Sequence, residues 1–436
     1  MAEDISHRWK VKASGEARAR YETLSGQFRA NGKGGDQLLA LRTLVKVEAK
    51  RGPVTFAAEM QDSRSYLGDE GTAYTTSWIN PFDLLQAYGE VDLGKLPGQS
   101  RTNMQLGRFT VDIGSRRQFE RVEFANVIFN YTGVHLKSVT TGGAQWHVLY
   151  VVPVTRLPAS RNGLGDNDIS GDEEAENRRV WGLHYIRPKL MEAVLPGVTG
   201  ELFAYGIDET DSKDNPTPNR HYKTPGFRLS RPSKTAHWDF EVEAAFRYGT
   251  RRNSSSATDT RDLKVRAWTL HAGVGHTFDL PWQPRVSLDY DYASGDKSPG
   301  DGRYDQYERL FGSRRTDLGN TGIHGPLTPA NIKAPGFRVE IKPNGRMDAR
   351  LAYKAAYLAS ATDTWVGAGV RDTSGKSGQF IGHSIDGRVR YWLKPKAWLG
   401  EVGLSFLLDS DLSRSAPNGS RQGDTAFGYA QLTTYF

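Results

Sequence analysis

Trp9-Lys10-Val11-Lys12-Ala13-Ser14-Gly15-Glu16-Ala17-Arg18-Ala19-Arg20-Tyr21-Glu22 is the stretch whose reading decides the fold. Trp9, Val11, Ala13, Gly15, Ala17, Ala19 and Tyr21 share one parity, while Lys10, Lys12, Ser14, Glu16, Arg18, Arg20 and Glu22 share the other. A β-strand sends successive side chains to opposite faces, so one face here is apolar and the other charged. An amphipathic helix would need apolar residues at i, i+3 and i+4, and the stretch lacks that spacing.

The same alternation recurs along the chain. Leu39, Leu41, Val45 and Val47 oppose Arg42, Lys46 and Glu48. Trp238, Phe240, Val242, Ala244 and Phe246 oppose Asp239, Glu241, Glu243 and Arg247. Met347, Ala349, Leu351 and Tyr353 oppose Asp348, Arg350 and Lys354, and Ile385, Val389 and Tyr391 oppose Asp386, Arg388 and Arg390. The pattern predicts about eighteen strands, at 7–22, 37–51, 53–63, 82–93, 101–110, 122–137, 143–154, 177–188, 198–209, 223–231, 236–250, 262–278, 285–294, 336–342, 346–360, 379–394, 397–409 and 424–436. Many reach the length that a tilted strand needs to cross a bilayer, beyond the usual strand of a soluble sandwich.

Connection lengths alternate as well. Arg51-Gly52-Pro53, Leu195-Pro196-Gly197, Asn344-Gly345 and Lys394-Pro395-Lys396 are tight turns, whereas 23–36, 64–80, 155–176, 210–222, 251–261, 295–335, 361–378 and 410–423 are long polar loops. One end tight and one end loop-rich is the signature of an outer-membrane barrel, with the long loops outside the cell. The expected fold is therefore all-β: a transmembrane antiparallel up-and-down barrel spanning 1–436 as a single domain.

Composition agrees with that class. The mean hydropathy is −0.58, and no apolar run is long enough for a transmembrane helix. A barrel keeps its average low because lipid-facing and lumen-facing residues alternate. Aromatics make up 11% of the 436 residues, which suits two interfacial girdles. With no Cys there is no disulfide framework, thiolate metal site or cysteine nucleophile. The N-terminus Met1-Ala2-Glu3-Asp4-Ile5-Ser6-His7 lacks the basic and apolar regions of a signal peptide. The expectation is a leader already removed, with Met1 added. The small residues of the apolar face, such as Ala13, Gly15, Ala17 and Ala49, would make a poor sandwich core and favour lipid contact.

On this reading the charged parity faces a wet lumen carrying Lys10, Lys12, Arg18, Arg20, Arg42, Lys46, Arg247, Arg350, Lys354, Arg388 and Arg390. Glu16, Glu48, Glu59, Glu241, Glu243, Asp348 and Asp386 share it, and most such charges pair to fill space. Arginines left unpaired would give the pore an anion preference, since the planar guanidinium suits carboxylates. The net charge of +7 points the same way.

Several stretches resemble the alginate-export family of outer-membrane barrels. Phe380-Ile381-Gly382-His383-Ser384-Ile385-Asp386-Gly387-Arg388-Val389-Arg390-Tyr391 is similar to that family's Gly-x-acid-x-Asp strand, with Ser384 where an acid is common. Leu106-Gly107-Arg108 followed by Gly114-Ser115-Arg116-Arg117 resembles a second stretch. Tyr290-Asp291-Tyr292-Ala293-Ser294-Gly295-Asp296, then Leu310-Phe311-Gly312 and Asn331, resembles a third. The resemblance implies an 18-stranded barrel passing a polyuronate through a basic constriction, and assigns Arg108 to it. Parity instead puts Arg108 with Met104 and Leu106 on the lipid side, unless a bulge at Gly107 re-aims it.

Other classes are weighed against this. Among the histidines, His135, His147, His184, His271, His276 and His383 fall on strand segments, with no metal-ligand spacing. Asp166-Asn167-Asp168-Ile169-Ser170-Gly171-Asp172-Glu173-Glu174 fails the calcium-loop spacing and reads as a solvated acidic loop. No nucleophile elbow or nucleic-acid module is present. The expectation is no catalytic residue, no metal and no cofactor. Expected partners are an anionic polysaccharide or oligosaccharide, outer-membrane lipid and lipopolysaccharide, and periplasmic secretion components, with no nucleic acid. The alternatives are a general porin for small sugars or acids and a soluble β-rich carbohydrate-binding or lyase protein. Loop 295–335 is expected to fold over or into the lumen.

Overall fold

A computed structural model describes residues 8–213 and 215–436. The N-terminal heptad, and with it the first residue of the expected strand 7–22, lies outside the described residues. The chain forms β1 (Lys10–Ser25), β2 (Asp36–Arg51), β3 (Val54–Tyr66), β4 (Asn80–Asp92), β5 (Arg101–Phe109), β6 (Tyr131–Val139) and β7 (Gln145–Thr155). There follow β8 (Glu173–Glu174), β9 (Arg178–Arg187), β10 (Thr199–Glu209), β11 (His221–Arg231), β12 (Trp238–Arg251), β13 (Leu263–Thr277) and β14 (Arg285–Ala293). The last are β15 (Arg303–Tyr304), β16 (Ile332–Asn344), β17 (Met347–Tyr357), β18 (Phe380–Lys394), β19 (Trp398–Leu408) and β20 (Thr425–Tyr435). The two-residue strands β8 and β15 are loop decorations. The other eighteen form the barrel, each long strand antiparallel to its neighbours.

Closure is made by β1 with β20, from Glu16 opposite Tyr435 to Ser25 opposite Ala426. Phe436 completes the seam: its N–H donates to Gly15 O at 3.1 Å, and its carbonyl accepts from Gly15 N at 2.9 Å. A Cβ at residue 15 would come within 2.6 Å of the Phe436 ring, so glycine is needed there. A closed sheet leaves no unpaired backbone edge, which a bilayer would penalise heavily.

The apolar parity faces outward. Val45, Val47, Phe56, Leu106, Val148, Leu202, Trp238, Phe246, Trp268, Leu288, Leu351 and Leu404 are all exposed on the described surface. That arrangement would be costly in water and is the favourable one in lipid.

Two features depart from the sequence reading. The segment 122–137 is not one strand: β6 begins at Tyr131, and 110–130 is a long loop. Its apolar residues Val127 and Ile128 are buried inside the barrel and not displayed on it. The second concerns the lumen, expected to be wet throughout. Loop 110–130 and loop 294–331 both fold inward and meet, with Phe119 bridging to Phe311. Phe109, Val111, Ile113, Phe119, Tyr205, Tyr222, Tyr307, Leu318 and Ile323 form one buried apolar cluster there. The inward parity of the upper strands therefore packs against loops and not against water.

Candidate solute path

Three of the lumen arginines hold loop 110–130. Arg18 donates to Glu123 O at 2.7 Å, Ala125 O at 2.9 Å and Asn126 Oδ1 at 3.0 Å. Arg42 donates to Glu123 O and Ala125 O at 2.9 and 2.7 Å while its Nε binds Glu16 at 2.8 Å. Arg20 pairs with Glu22 at 2.6 Å, donates to Phe124 O at 2.6 Å and lies over the Phe124 ring at 4.1 Å. Buried guanidinium groups are tolerable when carboxylates and carbonyls satisfy them, and here the loop backbone supplies the carbonyls.

Loop 294–331 is held from the opposite wall. Arg247 donates to Thr224 Oγ1 at 2.9 Å and Glu308 O at 2.6 Å, between the rings of Tyr222 and Tyr307. Asp386 accepts from Asn320 N at 2.9 Å and from Ser405 Oγ at 2.7 Å. Arg117, from the first loop, pairs with Asp317 in the second through two bonds of 2.8 and 3.0 Å. Lys354 binds Asp291 at 2.6 Å, and His271 binds the same carboxylate at 2.7 Å. His271, Asp291 and Asp317 cluster closely enough to suggest a cation site. Arg117 and Lys354 already neutralise both acids, so this network reads as a loop anchor.

The remaining cations gather lower in the barrel. Arg338 on β16, Arg350 on β17 and Arg388 on β18 project from inward positions beside Arg315 of loop 294–331. The Nε atoms of all four are buried without a partner among the described residues. Arg350 makes a single long bond, 3.4 Å to Arg315 O. Arg388 and Arg390 share one carboxylate, Asp348, at 3.1 and 2.9 Å. Arg315 binds Glu401 and Tyr429 Oη, each at 2.6 Å, and stacks on Phe124 at 3.7 Å. Among the described residues these five guanidinium groups have two carboxylates, Asp348 and Glu401, as close ion-pair partners, an imbalance that attracts anions into a low-dielectric wall.

This cluster separates two spaces. A cavity of about 390 Å³ lies on the short-turn side, lined by Lys234, Arg285, Glu340, Lys342, Arg350, Arg388 and Arg390. A smaller one of about 120 Å³ lies between the two inward loops, lined by Arg20, Trp78, Phe124, Arg309, Arg314 and Arg315. Arg315 lines the second, and its carbonyl touches Arg350, which lines the first.

The residues singled out from sequence thus divide. Arg350, Arg388 and Arg390 are brought together at the larger cavity. Arg18, Arg20, Arg42, Arg247, Lys354 and Asp386 secure loops. Lys46 lies near Tyr88 Oη at 3.3 Å and Glu48 at 3.4 Å. Arg108 sits apart from the lumen cluster, bonded to Glu174 at 2.6 Å and Leu84 O at 3.1 Å. Thr132, opposite Arg108 on β6, donates to the same Glu174 carboxylate. Gly107 does adopt φ +118, yet Arg108 ends up fastening a loop at the extracellular rim. Beside it, Asp172 accepts from Leu157 N and Asn80 Nδ2, both at 2.7 Å. Burial nevertheless lifts the Asp172 carboxyl to about 6, and Asp83 adds to the rise. Sequence reasoning missed Arg315 and Arg338. Arg338 lies in a strand segment whose alternation carries it; Arg315 lies in a loop and gives no periodic signal.

Comparison with known proteins adds the family. Residues 10–421 match the family model described as Alginate export. Among solved structures, Acinetobacter baumannii OccAB1 is similar at 12% identity and TM-score 0.61, over 98% of this chain and 96% of that one. Pseudomonas aeruginosa OccK2 (OpdF), solved in complex with glucuronate, is similar at 11% identity and TM-score 0.59, over 98% of each chain. Pseudomonas aeruginosa OpdK, solved with vanillate, gives the same figures. No curated protein sequence matches the chain. At these identities the structural likeness speaks for the fold alone. Fold and family together place the chain in a bacterial outer membrane and point to a channel, not an enzyme.

Proposed function

The chain belongs to the alginate export family and is an outer-membrane β-barrel channel, and we propose that its solute is an anionic polysaccharide or oligosaccharide of the polyuronate type. The observation that carries this reading is the convergence of Arg315, Arg338, Arg350 and Arg388 with unpartnered Nε atoms. A carboxylate presented by each sugar residue would complete those guanidinium groups in turn, as paired N–H donors favour planar oxyanions. Movement past them needs binding strong enough to admit the solute and weak enough to release it. The two carboxylates in the cluster, Asp348 and Glu401, temper the attraction.

The pore-lining set is Arg315, Arg338, Arg350, Arg388 and Arg390. The sequence-nominated Arg18, Arg20, Arg42 and Arg247 shape the passage indirectly, by fixing the loops that narrow it.

A second reading, a porin for small organic acids, draws support from the two inward loops, which pack into the barrel around compact cavities. The structural neighbours solved with glucuronate and with vanillate suit that reading. Planar-bilayer recording tests both. Anion-selective reversal potentials in a salt gradient, with current block by uronate oligomers that lengthens with chain length, support the polymer reading. Block by monomeric uronate alone supports the porin. A cation-selective channel would defeat both.

A further inference from the structure

We propose that His135 and His147 form a lumen-side binding site for a divalent transition metal of the zinc class. His135 Nε2 and His147 Nδ1 lie 3.1 Å apart. Two imidazole nitrogens bound to one zinc, each at about 2.0–2.1 Å, are separated by about 3.3 Å at a tetrahedral angle and about 2.9 Å at a right angle. The observed spacing falls within that bite without any strand movement. The two rings are stacked, with centroids 5.3 Å apart and planes 22° from parallel.

The backbone holds the pair. His135 is on β6 and His147 on β7, adjacent strands joined by the short turn 140–144. Gln105 lies opposite His135 on β5. His184 is directly opposite His147 on β9, with ring centroids 6.4 Å apart. It is not a ligand in this arrangement, because Tyr205 Oη and Glu201 occupy its nitrogens at 2.6 and 2.8 Å. It acts as a fixed wall that keeps His147 in place.

This pair differs from the tighter cluster of His271, Asp291 and Asp317. There Lys354 and Arg117 already supply the positive charge. Between His135 and His147 only a shared hydrogen bond must be given up. In the neutral pair one facing nitrogen carries a proton. On metal binding that proton moves to the other nitrogen of its own ring, so both rings stay neutral and both lone pairs reach the ion. Lys137, opposite His147, is an exposed cation on the side of the short turns. Imidazole donors suit zinc, copper and nickel over magnesium or calcium.

Titration calorimetry of the folded barrel in detergent, with zinc chloride as the probe, tests the site. One zinc per chain is expected, with affinity falling about tenfold or more in both His135→Ala and His147→Ala. His237→Ala, an exposed turn histidine, should bind as the parent does. Heat-modifiable gel migration checks that each variant is a closed barrel, and His135→Asn and His147→Asn replace any that is not. Absence of zinc binding in the parent overturns the proposal. So does undiminished binding in either folded variant.

Discussion

The two ends of the barrel are built on opposite electrostatic plans. In the short turns of the periplasmic end the charged residues are Lys95, Lys189, Lys234, Arg346 and Lys396 against Glu192 and Asp279. Lys10, Lys12, Lys50 and Lys342 add exposed amines from the adjoining strand ends. The extracellular loops mix both signs, and much of that charge is consumed in pairs such as Arg220 with Glu209 at 2.6 Å. The excess positive charge of the chain therefore resides at one mouth and at the arginine cluster above it. The extracellular half spends its charges on holding loops in place. An anion approaching from the periplasmic side meets an attractive field; from outside it meets a nearly balanced surface.

The largest effect is expected at the cluster itself. Arg350→Ala with Arg388→Ala should lower the anion-to-cation permeability ratio about tenfold, read from reversal potentials. An unchanged ratio would mean that the asymmetry of the ends has nothing to do with selectivity. Next comes the loop anchor. Arg18→Ala with Arg42→Ala removes several charge-assisted bonds, each about 1.5–3 kcal/mol. Single-channel current should rise and flicker as loop 110–130 loosens, while selectivity stays with the lower cluster. Third, Lys10→Glu, Lys12→Glu and Lys50→Glu together should slow uronate block from the periplasmic side only. The difference should vanish in 1 M salt, where the screening length is about 3 Å.

The smallest effect belongs to the outer end. The Asp172 carboxyl sits at about 6 in the fold against 3.8 when free. Its raised value means the folded loop binds more protons, so its contribution is complete below about pH 4 and is lost as pH rises through about 6. Amide exchange in residues 156–172 should quicken from pH 5 to pH 7 beyond its intrinsic rate. Asp172→Asn should flatten that dependence while leaving periplasmic-side block untouched.

How far these features can be read from sequence follows from which rules act locally. Strand alternation is a two-residue rule, so β1, β12, β17 and β18 are visible wherever lipid meets one face. Loop 110–130 is invisible by the same rule, since Val127, Ile128 and Phe119 are apolar for a tertiary reason. Phe119 is buried by a loop arriving from nearly two hundred residues away, and Ile128 by Leu44 and Leu85 of the barrel wall. Arg18 and Arg350 are indistinguishable by parity. One gives its terminal N–H groups to Glu123 O, Ala125 O and Asn126 Oδ1, and the other makes a single bond of 3.4 Å. Only the course of the two inward loops separates a fastener from a pore residue. Arg108 is a third case: neither its parity with Leu106 nor the motif it resembles foretells the carboxylates of Asp83 and Glu174 that hold it at the rim.

The seam between β1 and β20 has a consequence for biogenesis. Arg20 reaches Gln431 across 411 positions of chain. Such a join carries a large loop-closure cost and can be made only after nearly all of the chain has been delivered to the membrane. Until then two raw sheet margins are open to pairing with any passing strand. A version truncated before Thr425 should accumulate as insoluble, protease-sensitive material, because the circle has lost the stave that closes it.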